Sequence, residues 1–313
     1  MFGSRIASAY LVGAAMCWGL GTVLSKYALG DIEAASLLPL QLTCSVLLLG
    51  ASLLVTRSSL RGIQRSPQVA ALGVLNPGIA YALGLIALAH IDASVSVIIW
   101  ATEPVVIVVL AFALLHERLP LWSVACLAAA MAGVALIVGT PSPGNATIGV
   151  VLTFASVFAC ALYSVLLRRM NLTDGTLPVV FLQQASALGF AVVVFLVASG
   201  LSFDVGHASI LQGISAVLSG FLYYGVAFLL FVSGLRRTSA SRAGMSLTLI
   251  PVFGLFFSAM LLGESIGSRQ FLGSVVVIGS MCLLAMREAR GSRTRGPDVR
   301  IDAESRKLRR SRW

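Results

Sequence analysis

EPVVIVVLAFALLHE, residues 103–117, and IPVFGLFFSAMLLGE, residues 250–264, set the reading of the whole chain. Each is an apolar run with a proline at its second position and a glutamate thirteen residues beyond that proline. A gapless offset of 147 relates them, and it also superposes Gly73 on Gly220 and Gly78 on Gly225. The Ala-Ser pair 93–94 falls on 240–241, and Leu114-Leu115 on Leu261-Leu262. Apolar coincidences are common in such a chain. A proline-to-glutamate spacing kept in both copies is not.

Around these runs the composition is that of a membrane protein. Of 313 residues, 58% are apolar and 11% charged, whereas a soluble domain carries roughly 25% charged residues. The mean hydropathy is +0.95. A soluble enzyme, a nucleic-acid-binding protein and a disordered scaffold are excluded. Ten apolar spans are expected: 6–27, 35–56, 68–89, 94–115, 121–139, 148–168, 177–199, 212–235, 241–262 and 270–287. They lack the alternation of membrane strands, so the fold class is an all-α membrane protein of ten transmembrane helices. Arg5 before the first run imitates a signal peptide, but no small-x-small cleavage site precedes a polar domain and a retained span is expected.

Charge sets the orientation. With the N-terminus inside, 20 of the 22 lysines and arginines fall at cytoplasmic ends; only Lys26 and Arg269 do not. Both termini are therefore placed in the cytoplasm of a multi-pass, bacterial-inner-membrane-type protein. The net charge of +10 is concentrated in the tail from Arg287 to Trp313, with ten basic and four acidic residues. That fits a solvated tail held near anionic lipid and gives no reason to invoke nucleic acid. Cys17, Cys44, Cys126, Cys160 and Cys282 all lie inside apolar runs, and His90, His116 and His207 near loops. Neither set has the spacing of a disulfide framework or a metal site, so no metal and no cofactor is expected.

The offset divides the chain into a first repeat at 1–140 (spans one to five), a second at 148–288 (spans six to ten) and a basic tail at 289–313. Five is an odd number, so the second copy enters the membrane upside down. The arginines agree: the 2–3 loop has three and its counterpart 7–8 none, while the 8–9 loop has three and its counterpart 3–4 none. Inverted repeats around a midplane site are a transporter signature. No phosphate-binding Gly-x-x-x-x-Gly-Lys-Ser/Thr loop occurs, which points to secondary transport, without ATP. An intramembrane enzyme would need a deep nucleophile with a base, or clustered ligands, and neither is evident.

Trp18-Gly19 followed by Lys26 resembles the opening of the EamA family of the drug/metabolite transporter superfamily. Glu103-Pro104 followed by His116-Glu117-Arg118-Leu119, and Pro251 followed by Gly263-Glu264-Ser265, resemble its paired fourth and ninth helices. The resemblance covers about residues 6–288 and implies a ten-helix inverted-repeat fold that moves amino acids, amines and other small metabolites. Many members carry an arginine in the second helix; here the polar residue is Gln41, with Gln183 and Gln184 in span seven.

The candidate site residues are the polar and aromatic groups expected at depth: Trp18, Gln41, Asn76, Tyr81, Trp100, Tyr163, Tyr223 and Tyr224. Each alone is as well suited to helix packing as to ligand contact. Pro104 and Pro251, placed mid-helix, are expected to kink helices four and nine. Glu117 and Glu264 lie at the far ends of those helices, where a carboxylate opposes the macrodipole, and are read as caps on the next helix. Ala125, Ala129 and Gly133 suggest a close helix contact. Glu103 is the one acidic residue expected near mid-span. A charge there costs about 2.5–3.5 kcal/mol, so such a group faces a cavity, as a proton site or a counter-charge for an ammonium, or else stays neutral and hydrogen-bonded. With no Lys or Arg at that depth, phosphorylated metabolites are not expected as substrates. Expected partners are a small-molecule substrate, the lipid bilayer and protons; a lipid-linked or quaternary-ammonium substrate is the alternative.

Overall fold

The computed structural model describes residues 2–29, 32–60, 63–88, 90, 99–117, 119–138, 147–199, 209–263 and 266–294. Among these, every regular element is helical. The helices are α1 (Phe2–Ala28), α2 (Ala34–Thr56), α3 (66–88), α4 (Glu103–Leu115) and α5 (Leu121–Val138), then α6 (Thr147–Met170), α7 (Thr176–Ser199), α8 (Ile210–Leu235), α9 (240–262) and α10 (Ser268–Thr294). Six of these stretches are each long and apolar enough to cross a membrane, and α4, α5 and α10 hold shorter apolar helices. Residues 94–98 of the expected fourth span, Glu264 and the tail from 295 lie outside the described residues.

Three of the ten are not plain α-helices. α3 is α-helical over Ser66–Gly73 and Ala80–Leu88, joined by a π-helical turn Val74–Ile79 in which Asn76 leaves the helical region at φ −148°, ψ 120°. α8 carries a π-helical turn at Gly220–Val226, the repeat counterpart of the first. In α9 a 3-10 turn, Leu247–Leu249, joins Ala240–Ser246 to Ile250–Leu262. The prolines are consequently not mid-helix as the sequence suggested. Pro104 and Pro251 each stand at the second residue of a 13-residue helix, where a missing N–H leaves no bond unmade. The break is the turn before the proline. Both helices then end on a left-handed residue, His116 at φ 56° and Gly263 at φ 66°.

The contacts respect the repeat. α1 packs on α8 and α9, and α6 packs on α3 and α4; α2 lies on α7 and α5 on α10. Exchanging the two halves maps this pattern onto itself. Gly73 rests on the backbone of Gln183 in α7, and its counterpart Gly220 on the backbone of Gln41 in α2. A side chain at either position would strike main chain. Polarity is distributed for lipid: Gln41, Asn76, Gln183 and Gln184 are buried, while Leu54, Val55, Leu121, Val197 and Ile210 are more than 80% exposed. Of the small residues on α5, Gly133 meets the Gly273 carbonyl of α10. Ala125 and Ala129 do not share that contact; they line an open groove of about 260 Å³ between the two helices.

Candidate functional site

α6 supplies the polar wall of the interior. Thr153, Ser156, Cys160, Tyr163 and Ser164 recur at helical spacing on one face, and all are buried. Ser156 Oγ donates to the Ala80 carbonyl just beyond the π-helical turn of α3. Cys160 Sγ lies 3.4 Å from Asn76 Oδ1, at the one residue of that turn with non-helical dihedrals. Asn76, at the interruption of α3, thus presents its side-chain amide to α6.

Four rings gather beside this point. Tyr81 has its centroid 5.8 Å from Trp100, 5.7 Å from Tyr223 and 5.5 Å from Tyr224, and the last two are 5.1 Å apart. Tyr81 and Trp100 come from the first half, Tyr223 and Tyr224 from the π-helical turn of the second. Tyr223 also lies within side-chain reach of Thr22 of α1. Thr22 in turn donates to the Trp18 carbonyl at 2.8 Å. Glu103, the first residue of α4, lies within electrostatic reach of Cys160 and Tyr223. The structure therefore brings together Asn76, Tyr81, Trp100, Glu103, Tyr223 and Tyr224.

The remaining candidates make other contacts. Trp18 stacks obliquely on Phe231 at 5.2 Å and edge-on to Phe228 at 5.6 Å, in a core that also holds Tyr163. Tyr163 OH donates to Gln183 Oε1 at 3.0 Å. Gln41 Nε2 donates to Ser25 Oγ at 2.8 Å and to Ser219 Oγ at 2.6 Å, so both its protons tie α2 to α1 and α8. Three buried groups, Trp18 Nε1, Gln183 Nε2 and the whole Gln184 amide, have no hydrogen-bond partner among the described residues. Glu117 is a cap, but not on the next helix: it accepts bonds at the start of α9, in the other half. Its counterpart Glu264 lies outside the described residues. Thr22 and Cys160 were not singled out from sequence, although Cys160 sits on the polar stripe of α6.

No group of three or more His, Cys, Asp or Glu able to hold a metal occurs among the described residues. The arrangement offers a carboxyl, an amide, a thiol and tyrosine hydroxyls against aromatic faces. Such a set has the chemistry to bind and orient a small polar molecule with some apolar surface.

The comparisons with known proteins bear on the family. The model of the EamA-like transporter family matches residues 5–139 and again 147–286. The uncharacterized inner membrane transporter YicL of Salmonella typhimurium is 25% identical over 293 residues, covering 90% of this chain and 95% of its own. The uncharacterized transporter YvbV of Bacillus subtilis is 26% identical, covering 85% of this chain and 87% of its own. An uncharacterized transporter of Archaeoglobus fulgidus is 23% identical, covering 83% and 92%. A crystal structure with a TM-score of 0.76 and 20% identity, aligned over 90% of this chain and 98% of that one, shares the fold. With family-model matches in both halves and relatives of the same length named as transporters, the chain belongs to the EamA-like transporter family and is a multi-pass membrane transporter.

Proposed function

We propose that this transporter is a secondary exporter of small metabolites bearing an ammonium group, such as amino acids or amines, working by alternating access. The observation that carries the reading is that Glu103 lies within electrostatic reach of Tyr223, which stands in a ring cluster drawn from both halves. A carboxylate beside aromatic faces suits an ammonium: the charge is met by Glu103 and the flanks by the negative faces of Tyr81, Trp100 and Tyr223. Substrate and proton compete for the same carboxylate, which couples outward movement of one to inward movement of the other. The repeats 1–140 and 148–288 rock about this point as one inverted pair, each of the ten helical stretches crossing once. Both termini lie in the cytoplasm, with the basic segment 289–313 against the anionic leaflet. Pro104 and Pro251, each directly after a turn, are the hinges.

The test is counterflow in proteoliposomes with a panel of amino acids and amines at several pH values. The wild type exchanges at least one ammonium compound, and Glu103→Gln loses the exchange or its pH dependence. A Glu103→Gln protein that folds and exchanges at the native rate with an unchanged pH profile defeats the reading. Turnover of a soluble substrate by purified protein, without a sealed vesicle, would instead indicate an enzyme. A second reading, export of a quaternary-ammonium or lipid-linked compound, is favoured by the four-ring cluster, which attracts a cation without hydrogen bonds. Tetraalkylammonium compounds in the panel separate the two.

A further inference from the structure

Glu117 joins the two halves where α4 stops and α9 starts. α4 ends at Leu115, and the left-handed residue His116 carries the chain across to α9. There Glu117 Oε1 accepts the Ala240 amide at 3.0 Å, and Oε2 accepts the Ser241 amide at 3.1 Å and the Ser241 hydroxyl at 2.7 Å. These are charge-assisted bonds, made at the positive end of a helix dipole. Between this contact and Glu103 the two helices are closed on each other. Ile107, Ala111, Ala240 and Ala243 have no exposed surface, and a side chain on Gly244 would come within 2.7 Å of Ile107.

A cap inside one half survives a motion in which the halves move as bodies. A cap that reaches from one half to the other does not. α9 also has a cap of its own, since Ser239 Oγ accepts the Arg242 amide at 3.3 Å. The start of α9 can therefore release Glu117 and remain a helix. We propose that Glu117 is the latch of the cytoplasmic gate: its bonds to Ala240 and Ser241 hold α4 against α9 when that side is shut, and they break each time it opens. The proposal rests on the alternating-access and orientation readings above.

A native thiol reports on it. Cys160 is 3% exposed, beside Asn76 and within reach of Glu103, so it lies behind the closed contact of α4 with α9. Cys44 is 7% exposed and faces Gly220 in α8, away from the latch. Inside-out membrane vesicles are treated with a membrane-impermeant maleimide, and labelling of each cysteine is followed by peptide mass spectrometry. Glu117→Ala raises the rate at Cys160 about tenfold, as expected from losing charged hydrogen bonds. Glu117→Gln, which keeps one acceptor, raises it less, and carries the test alone if the alanine variant fails to reach the membrane. Cys44 stays at the wild-type rate in both. Unchanged labelling of Cys160, or a rise matched at Cys44, overturns the latch. This measurement needs no substrate, so a silent counterflow assay counts against the transport reading and unchanged labelling against the latch.

Discussion

Gly73→Ala tests the crossing on which the two-repeat architecture depends. A Cβ at Gly73 would sit 2.1 Å from the Gln183 carbonyl oxygen and 2.5 Å from its Cα, against 3.4 Å for ordinary contact. Every atom it meets is main chain of α7, so no rotamer change relieves it. α3 and α7 must part locally by about 1 Å, an overpacking that costs on the order of 1–3 kcal/mol. Gly220→Ala, its repeat counterpart, meets the Gln41 carbonyl at 2.7 Å and should fall the same way by less. Gly189→Ala on α7 is the control, because nothing lies within 4 Å of its Cβ. There the better helix propensity of alanine gives about 0.5–1 kcal/mol of stabilisation. The assay is thermal unfolding of the detergent-solubilised protein. The expected order of Tm is Gly189→Ala, wild type, Gly220→Ala, Gly73→Ala. If Gly73→Ala melts with or above Gly189→Ala, the close crossing of α3 and α7 does not exist as described.

Two further predictions concern topology and substrate charge. Single cysteines at Ser59 and Ser292 should be shielded from an impermeant thiol reagent in intact cells while one at Ser142 reacts, and labelling of the first two would reverse the orientation. A sugar phosphate should show no saturable uptake into proteoliposomes, because none of the residues gathered at the site is a lysine or arginine; saturable uptake would place a cation there.

The helices, the repeat and the family were legible because they rest on long-range regularities: apolar length, arginine placement and the offset of 147. What was not legible is local. The π-helical turn of α3 holds Asn76-Pro77, a local breaker in the sequence, but the contact of Asn76 with Cys160, 84 residues away, is displayed by no window of sequence. The prolines were placed by counting from span ends. The span boundaries hid a turn at residues 101–102, so Pro104 opens a helix that it was expected to bend. The destination of Glu117 is long-range as well. Sequence ranks the next helix as the nearest unfilled N-terminus, whereas the fold brings one from 123 residues away.

Gln41 and Gln184 show how far residue type alone misleads about a site, and they yield opposite predictions. Both are buried amides, 3% and 0% exposed, on helices that pack together. Gln41 has spent both amide protons on Ser25 and Ser219, and Ser219 passes its own proton to the Ala216 carbonyl at 2.8 Å. Removing it takes the donor from half-buried Ser25 and leaves buried Ser219 only its bond to Ala216, so Gln41→Leu should lower Tm, with a cost of about 1–3 kcal/mol. For Gln184 neither amide atom has a partner among the described residues. Burying it already costs a similar amount, and Gln184→Leu removes that cost at nearly the same volume. The leucine variant should therefore melt above wild type. The prediction for transport is that this amide gains a partner in another state of the cycle. Gln184→Leu should then be stabler and slower: higher Tm, reduced counterflow. If its Tm falls as far as that of Gln41→Leu, Gln184 is already bonded in this state. If Tm rises and counterflow is untouched, the amide has no part in transport.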